Sequence, residues 1–234
     1  MHVTFDHIDE IADNIKMFWF RPERPVRYIA GQFIELRIPH DDKDKRGDKR
    51  WFTLSSSPSE DLVAITTKIA LKDGSTFKQA LLGLKSDSRV TMTDAMGDFV
   101  LPKDESIPLV FVAGGIGVTP VRSMIKFLHD SAEKRNITLI YAARSEDELA
   151  FTDLFNKSNL KFIPVIGQPS TGWKGEAGRV NADRILELAG DYEDKYIYLS
   201  GPEPMTESLY KELKGLGVNK KHLVTDYFPG YTDI

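Results

Sequence analysis

A glycine-rich segment, VFVAGGIGVTP (residues 110–120), follows an apolar run and ends in Thr-Pro. Glycines let a phosphate approach the backbone, and a helix that begins just after them directs free amides and a positive dipole end at that phosphate. The alternative is a tight turn that needs glycine only for its backbone conformation. Pro120 stands where the third glycine of G-x-G-x-x-G would be, so the standard dinucleotide fingerprint is absent. We expect Thr119 to cap the helix that follows.

Little in the sequence indicates a metal site, a reactive thiol or a catalytic serine. The chain has no cysteine, which excludes disulfides, thiolate-held zinc, cysteine-ligated iron–sulfur clusters and a cysteine nucleophile within it. The five histidines show no metal-ligand spacing, so no metal site is expected. No Gly-x-Ser-x-Gly element is present, and Ser55 to Ser57 have no evident base.

Composition is that of an ordinary globular protein. The 234 residues carry 31 Lys and Arg against 35 Asp and Glu, a net charge of −4 that makes nucleic acid an unexpected partner. The N-terminal residues MHVTFDHIDEI are acidic where a signal peptide would be apolar, and no run has the roughly 20 apolar residues of a membrane helix. We expect a soluble, cytoplasmic protein with no transmembrane segment.

The two halves of the chain differ in their apolar pattern. Up to about residue 100, short segments alternate with turns: VTFDHI, IKMFWF, FIELRI, WFTLSSS, VAITTKIA and RVTMTD. This pattern predicts an antiparallel barrel or sandwich, interrupted by one helix, STFKQALLGLK, with an apolar stripe at Phe77, Leu81 and Leu84. After the linker at 101–108, apolar strands alternate with helices predicted near 119–130, 146–155, 181–188 and 203–213. That alternation predicts a parallel sheet wound with helices.

Four motifs occur in order: RWFTLSSSP, DGST, GGIGVTP and SGPEPM. Together they resemble the ferredoxin–NADP⁺ reductase family, and the resemblance runs from AGQF (30–33) to the C-terminal aromatic residues. The resemblance implies a two-domain fold. An N-terminal antiparallel β-barrel, the flavin domain, would occupy residues 1–103. A Rossmann-like α/β parallel sheet, the NAD(P) domain, would occupy residues 104–234.

The resemblance implies a flavin site on the strand RWFT. Arg50 can form a fork with a diphosphate, Phe52 offers a flat face to the isoalloxazine, and Thr53 can hydrogen-bond the ring edge that accepts hydride. Strict alternation puts Thr53 opposite Arg50 and Phe52, which requires either a distorted strand or a ring lying along the strand's edge. The cofactor-binding set also includes Trp51, Leu54, Thr67, Lys68, Gly74, Ser75 and Thr76. Gly74, Ser75 and Thr76 would bind the flavin phosphate through hydroxyls and amides at a helix start, and plain helix capping by Ser75 or Thr76 is an equal alternative.

The nucleotide contacts implied by the resemblance lie in the second half. Gly115, Gly117, Thr119 and Pro120 would face the diphosphate, and Arg144 with Ser145 would face the adenosine ribose. Arg144 and Ser145 suit a 2′-phosphate and favour NADPH slightly over NADH, although two acids follow directly. GWKGEAGRV (172–180) would form a loop beside the nucleotide.

The SGPEPM motif and the C-terminal aromatic residues would complete the catalytic region. Gly201, Pro202 and Met205 match the family pattern near the nicotinamide, and Ser200 replaces its cysteine. Asp226 and Phe228 resemble the acid-x-aromatic element that closes over the flavin, although packed aromatics of a terminal strand would look the same. The catalytic set is therefore Thr53, Ser200, Asp226 and Phe228.

The implied function is an NAD(P)H-dependent flavoprotein reductase that uses FAD rather than FMN. Its electrons would pass to a separate ferredoxin, haem or iron–sulfur protein, or to a small molecule. One alternative is a flavin reductase that uses flavin as a substrate. Another, from a different class, is a redox-silent nucleotide-binding regulatory subunit.

Overall fold

The computed structural model describes residues 1–69 and 74–228, with the backbone alone at 227 and 228. The N-terminal sheet consists of β1 (His2–Ala12), β2 (Ile15–Pro22), β3 (Phe33–Arg37), β4 (Lys49–Thr53), β5 (Val63–Lys68) and β6 (Arg89–Met92). All its pairs are antiparallel, in the order β4-β3-β6-β1-β2-β5. A bridge between Leu54 and Ile65 joins the two outer strands, which closes the sheet into the predicted barrel.

Strand alternation builds the barrel core. On β3, Ile34 and Leu36 are buried while the residues between them are more exposed, as a strand with one face inward requires. Helix α1 (Thr76–Leu82) contributes Phe77 and Leu81 to the same core, with Leu84 packed against it. Ser75 caps this helix by accepting a hydrogen bond from the amide of Lys78 at 3.2 Å. The predicted helix is thus confirmed, but it ends at Leu82, so Leu84 packs against the core from beyond the helix.

The second sheet is entirely parallel. It consists of β7 (Leu109–Gly114), β8 (Ile137–Ala143), β9 (Lys161–Ile166), β10 (Glu176–Ala177), β11 (Tyr196–Pro202) and β12 (Leu223–Phe228), in the order β10-β9-β8-β7-β11-β12. Alternate residues of β7 pack on opposite sides, because Phe111 lies in one core cluster and Val112 in another. Helices α2 (Thr119–Asp130) and α3 (Thr152–Lys157) cover the first side, and α4 (Ala182–Ala189) and α5 (Glu203–Gly215) cover the second. The predicted parallel sheet wound with helices is confirmed, and the helices cover both of its sides.

Two local predictions were wrong. The helix expected near 146–155 is split into a 3₁₀ turn (Glu146–Glu148) and α3, because Phe151 between them has a left-handed φ of +63°. A residue with a β-carbon avoids that region inside a helix, so the helix cannot run through it. Thr119 is not the cap of α2 but its first residue, since a 3₁₀ turn (Gly115–Val118) precedes it. Its hydroxyl donates to the carbonyl of Ile116 instead, at 3.1 Å.

Arg122 of α2 fastens the parallel sheet to the barrel. Its guanidinium forms an ion pair with Glu60 and donates to the carbonyl of Ser55 at 2.9 Å. The guanidinium carbon also lies 5.9 Å from the ring centre of Trp19 on the barrel and 5.8 Å from that of Phe151. The division at residue 103 remains a proposal, and this cluster would lie on the boundary between the two proposed domains.

A second contact joins the β1–β2 hairpin and the end of β5 to the loop after β8. The amide of Asp13 donates to the carbonyl of Asp147 at 2.8 Å. Lys68 pairs with Glu148 at 2.7 Å. The loop that carries Arg144 and Ser145 is therefore tied to the barrel.

Candidate functional site

The candidate nucleotide site lies at the carboxyl ends of β7 and β11. Chain order reverses between these two strands, because β8 and β9 lie on one side of β7 while β11 and β12 lie on the other. Ligands of open α/β sheets bind at such a switch point. The 3₁₀ turn that follows β7 occupies this point, and it contacts β5 of the barrel as well as β11 and β12. The turn therefore borders the barrel strand that carries Thr67 and Lys68.

The glycines of this turn have different roles. A β-carbon on Gly117 would lie 2.3 Å from the carbonyl oxygen of Ser200, so Gly117 is required for the contact between the turn and β11. Gly115 has a φ of +52°, and no heavy atom of the described residues lies within 4 Å of its β-carbon position. Open space at Gly115 suits the approach of a phosphate. Gly117 thus permits a close backbone contact, whereas at Gly115 the positive φ fits the tight-turn alternative and the open space fits the phosphate prediction.

Ser200 is fully buried near the end of β11. Its hydroxyl has no hydrogen-bond partner within the described part of the chain. A buried polar group without a partner is costly, so such groups in native proteins commonly meet a ligand or an ordered water. Asp226 is the register partner of Ser200 across β11 and β12, and the backbone of Phe228 pairs with Pro202. The structure thus brings three of the four predicted catalytic residues to one strand pair.

A pocket of about 990 Å³ opens beside this edge, between the ends of β8 and β9 and the helices α4 and α5. Arg144 and Arg179 both line it. The side chain of Arg144 donates to Gln168 at 3.3 Å. The predicted contacts Pro202 and Met205 also line the pocket. Gln168 and Arg179 also line the pocket, although neither residue was predicted individually; the loop containing Arg179 was predicted to lie beside the nucleotide.

Glu146, one of the acids that follow Arg144, is bound to the neighbouring loop. Its carboxylate accepts hydrogen bonds from the hydroxyl of Ser170 at 2.6 Å and from the amide of Ser170 at 3.0 Å. The hydroxyl bond is the main cause that lowers the pKa of Glu146 below its ordinary value. A carboxylate engaged in this way does not line the pocket. Glu146 is therefore absent from the pocket lining, whereas Arg144 and Arg179 line the space where a coenzyme would bind.

The predicted flavin strand and the start of α1 meet at one aromatic residue. The ring of Phe52 lies 5.8 Å from that of Phe77, and the guanidinium carbon of Arg50 lies 5.2 Å from the centre of the Phe77 ring. Trp51 points outward, is 52 % exposed and packs edge-on against Phe33. The two elements predicted to hold one flavin therefore converge.

Thr53 is 4 % exposed, and β4 keeps its regular register with β3 up to that residue. The distorted strand considered above is thus absent. The other geometry, a ring lying along the strand's edge, remains compatible because β4 is an outer strand that, among the described residues, is bridged to β5 only at Leu54. This edge leaves backbone groups of β4 available to a ligand.

The remaining predicted flavin contacts have protein partners. Lys68 pairs with Glu148, and Ser75 caps α1. The hydroxyl of Thr76 accepts a hydrogen bond from the amide of Asp44 at 3.0 Å. Gly74 adjoins this helix, whereas the aspartate of the DGST motif (residue 73) and the last residues of the C-terminal aromatic element (229–231) lie outside the described residues.

These residues fit the groups that the resemblance implies. At the phosphate end of the predicted flavin site, the guanidinium of Arg50 lies over the ring of Phe77. The carboxylate of Asp44 lies 3.3 Å from the same guanidinium, so the position already accommodates an anion. At the nucleotide site, open space at Gly115 and the unpaired hydroxyl of Ser200 fit a polar ligand. Over residues 1–69 and 74–228, no group of three or more metal-binding side chains occurs. Within the same residues, no helix has the length and apolar character needed to cross a membrane.

Comparisons with known proteins agree with this architecture. Residues 111–211 match the family model of the oxidoreductase NAD-binding domain. The phenol 2-monooxygenase reductase component of Pseudomonas sp. is 28 % identical over 85 % of this chain and 57 % of its own length. The reductase subunit of stachydrine N-demethylase from Rhizobium meliloti is 27 % identical, over 95 % of this chain and 65 % of its own. Flavohemoprotein A of Dictyostelium discoideum is 25 % identical, over 96 % and 59 %. The chain thus spans about three fifths of these relatives.

Solved structures show the same fold. The FAD/NAD-binding domain of a nitric oxide dioxygenase from Vibrio cholerae superposes with a TM-score of 0.82 at 21 % identity, over 97 % of this chain and 98 % of that one. A ferredoxin–NADP⁺ reductase from Neisseria gonorrhoeae with bound FAD and NADP superposes with a TM-score of 0.80 at 16 % identity, over the same shares. Together with the NAD-binding match, these structures confirm the predicted fold and the resemblance to the ferredoxin–NADP⁺ reductase family.

Proposed function

We propose that this chain is an NAD(P)H-dependent flavoprotein reductase. The observation that carries the proposal is the position of the 3₁₀ turn after β7, which contacts both β5 of the barrel and β11 with its buried Ser200. A nucleotide bound on that turn would have its reactive end beside the barrel, where the residues predicted to hold a flavin lie. Positioning of two rings is the main task that such a protein performs.

The two cofactors, when bound, would supply the redox chemistry, which is hydride transfer from NAD(P)H to FAD and electron transfer to an acceptor. The protein's own residues would bind and orient. Phe52 would provide a flat apolar face, Arg50 would attract the phosphate end, and the hydroxyl of Thr53 would hold the ring edge. The hydroxyl of Ser200, which lacks a protein partner in the described chain, would donate a hydrogen bond to the nicotinamide end.

NADPH is the proposed coenzyme. Two arginines, Arg144 and Arg179, line the pocket at the adenosine end, and Glu146 is held by Ser170. A guanidinium suits a 2′-phosphate because it can form paired charge-assisted hydrogen bonds. NADH would lack that group and gain less from the same residues.

The electron acceptor is proposed to be separate from this chain. Two of the relatives are named as the reductase component or subunit of a monooxygenase and of a demethylase, which supports this idea. A ferredoxin, a haem protein, an iron–sulfur protein and a small molecule remain alternatives. The cytoplasmic location expected from the sequence also remains a prediction.

A flavin reductase that treats flavin as a substrate is the second candidate. Its support is the engagement of Arg50 by Asp44 and by backbone carbonyls, which leaves less of the guanidinium for a permanently held phosphate. Tight retention of flavin through gel filtration would favour the first candidate, and loss of flavin with turnover of added flavin would favour the second.

The experiment that tests the proposal is an anaerobic titration. The purified protein, supplied with FAD, is titrated with NADPH and then with NADH while the flavin absorbance is followed. We expect bleaching of the flavin band, at lower concentrations of NADPH than of NADH. A protein that binds no flavin and oxidises no NAD(P)H with an artificial acceptor would contradict the proposal and favour a redox-silent subunit.

A further inference from the structure

The loop between β3 and β4 (residues 38–48) folds onto the start of α1. The ring nitrogen Nε2 of His40 lies 3.2 Å from the hydroxyl of Thr76, and the amide of Asp44 donates to the same hydroxyl at 3.0 Å. Thr76 is one of the residues predicted to bind the flavin phosphate. The loop therefore contacts the Thr76 hydroxyl, which is predicted to meet the phosphate.

The same loop surrounds the guanidinium of Arg50. Nη1 of Arg50 donates to the carbonyls of Lys49, Arg46 and Gly47 at 2.6, 2.8 and 3.1 Å. Nη2 lies 3.3 Å from a carboxylate oxygen of Asp44. Most of the donors that would meet a phosphate are thus engaged within the chain.

Asp44 is held in its ionised form. Its carboxylate accepts hydrogen bonds from the guanidinium of Arg46 at 2.8 Å and from the amide of Arg46 at 2.9 Å. These bonds are the main cause that lowers the pKa of Asp44 below its ordinary value. A full negative charge therefore faces Arg50 at neutral pH.

A second acid of the loop differs in its contacts. Asp48 pairs with Arg37 at 3.1 Å and with Lys43 at 3.2 Å. It makes no ion pair with Arg50 in the described chain, although it lies four residues from Asp44. Substitution of each acid in turn therefore distinguishes two effects: a change in the overall charge of the loop, and the loss of a carboxylate at Arg50.

We propose that Asp44 is a specificity-determining residue of the flavin site: its carboxylate is an internal anion that pairs with Arg50, at the position where a flavin phosphate would meet that guanidinium. The inference rests on the proposed function, since it concerns the same flavin. A flavin phosphate must displace the Asp44 carboxylate, because two anions this close repel each other and share one set of donors. The phosphate consequently adds less to affinity than it would beside an unpaired Arg50, and the ring supplies the larger share of the binding free energy.

The test is flavin binding by the full chain, without turnover. Riboflavin, FMN and FAD are titrated against wild type, Asp44→Asn and Asp48→Asn, with quenching of flavin fluorescence as the readout. We expect Asp44→Asn to tighten FMN and FAD by about 10- to 150-fold, the range of one charge-assisted contact, and to leave riboflavin unchanged. Asp48→Asn should leave all three dissociation constants within about twofold, as expected for an exposed pair.

Several results would overturn the inference: unchanged or weaker binding of FMN and FAD by Asp44→Asn, or equal tightening of all three flavins. Asp44→Ala serves as a second variant, because an asparagine amide can still bond to Arg46, and circular dichroism checks that each variant is folded. If wild type binds flavin but neither Asp44→Asn nor Asp44→Ala gains affinity for FMN and FAD relative to riboflavin, this inference alone fails. If wild type binds none of the three flavins, both it and the proposed function fail.

Discussion

Gly117 lies against the backbone of Ser200, with room for a hydrogen but none for a side chain. A β-carbon at residue 117 would be 2.3 Å from the Ser200 carbonyl oxygen and 2.5 Å from its carbonyl carbon. Backbone atoms cannot move aside as a flexible side chain would. The turn after β7 can therefore pack against the end of β11 only because residue 117 has no β-carbon.

Gly117→Ala should separate these two segments. We expect a loss of about 1–3 kcal/mol in the free energy of unfolding, the usual cost of forcing an extra carbon into a packed site. Urea unfolding measures the change. The matched control is Gly215→Ala at the end of α5, where the β-carbon meets no neighbour within 4 Å among the described residues. Equal stability of the two variants would contradict the packing role of Gly117.

Arg122→Ala should loosen the contact between barrel and parallel sheet. The substitution leaves the carboxylate of Glu60 and the carbonyl of Ser55 without the cation that binds both. Loss of one partner from a largely buried pair costs about 3–5 kcal/mol, and we expect calorimetry to show a lower or split transition. Lys126→Ala, which breaks an ion pair with Asp130 on the same helix, is the control and should cost less than about 1 kcal/mol. A similar effect of both substitutions would refute the special role of Arg122.

Arg144→Ala and Arg179→Ala should each weaken NADPH more than NADH. Both arginines line the pocket beside β8, and either could pair with a 2′-phosphate that only NADPH carries. We expect a loss of roughly 1.5–3 kcal/mol in NADPH binding, measured by calorimetric titration. Lys174→Ala removes a charge from the same loop outside the pocket lining and should change neither coenzyme. Equal losses for NADPH and NADH would remove the basis for preferring NADPH.

Thr53→Ala should slow hydride transfer while flavin stays bound. The contacts of Phe52 and Arg50 do not involve the Thr53 hydroxyl, but a positioned hydrogen bond at the ring edge would be lost. That loss is worth on the order of 1–3 kcal/mol, or roughly 5- to 150-fold in rate. Anaerobic stopped-flow reduction at matched flavin content measures it, with Thr91→Ala on β6 as the control. Reduction at the wild-type rate would make Thr53 a barrel residue only, and loss of flavin would make its hydroxyl structural.

Alkaline stability should depend on Tyr198. Burial raises the pKa of this phenol to about 12, and its hydroxyl donates to the carbonyl of Val100 at 2.8 Å. The folded protein thus holds the proton more tightly than the unfolded chain, whose tyrosines titrate near 10. The stability that this difference supplies is present below about pH 10 and is lost as the pH rises toward 12. Tyr198→Phe should flatten that part of the pH profile of urea unfolding, and an unchanged slope would contradict the assignment.

Features that depend on neighbours along the chain could be predicted from the sequence. The alternation in FIELRI predicted a strand, and in β3 its Ile34 and Leu36 are buried; the helix predicted near 181–188 is α4, which Asn181 caps. The order of apolar strands and helices after residue 108 likewise indicated a parallel sheet. Each of these signals is local, because periodicity and capping act within a few residues.

Features that arise from distant contacts could not be predicted. The left-handed Phe151 interrupts a plausible helix, and its ring lies against the side chain of Arg122, far away in the chain. Arg122 itself stands in an ordinary amphipathic helix whose sequence gives no sign of a partner at Glu60. The engagement of Arg50 by Asp44 was hidden in the same way, because the mixed charges of residues 41–50, around Gly47, are typical of a solvated loop. Tertiary context decides such residues.

The order of strands in the parallel sheet has a consequence for synthesis. The central strand β7 (109–114) pairs with β8 on one side, but its other neighbour, β11 (196–202), is translated much later. The barrel is complete once β6 ends at Met92, so we expect it to close while the ribosome is still making the second half. In the meantime one edge of β7 is an unpaired row of amides and carbonyls flanked by apolar side chains such as Val110 and Val112. The nascent chain is therefore most exposed to aggregation, and most in need of a chaperone, in the interval between the emergence of these two strands.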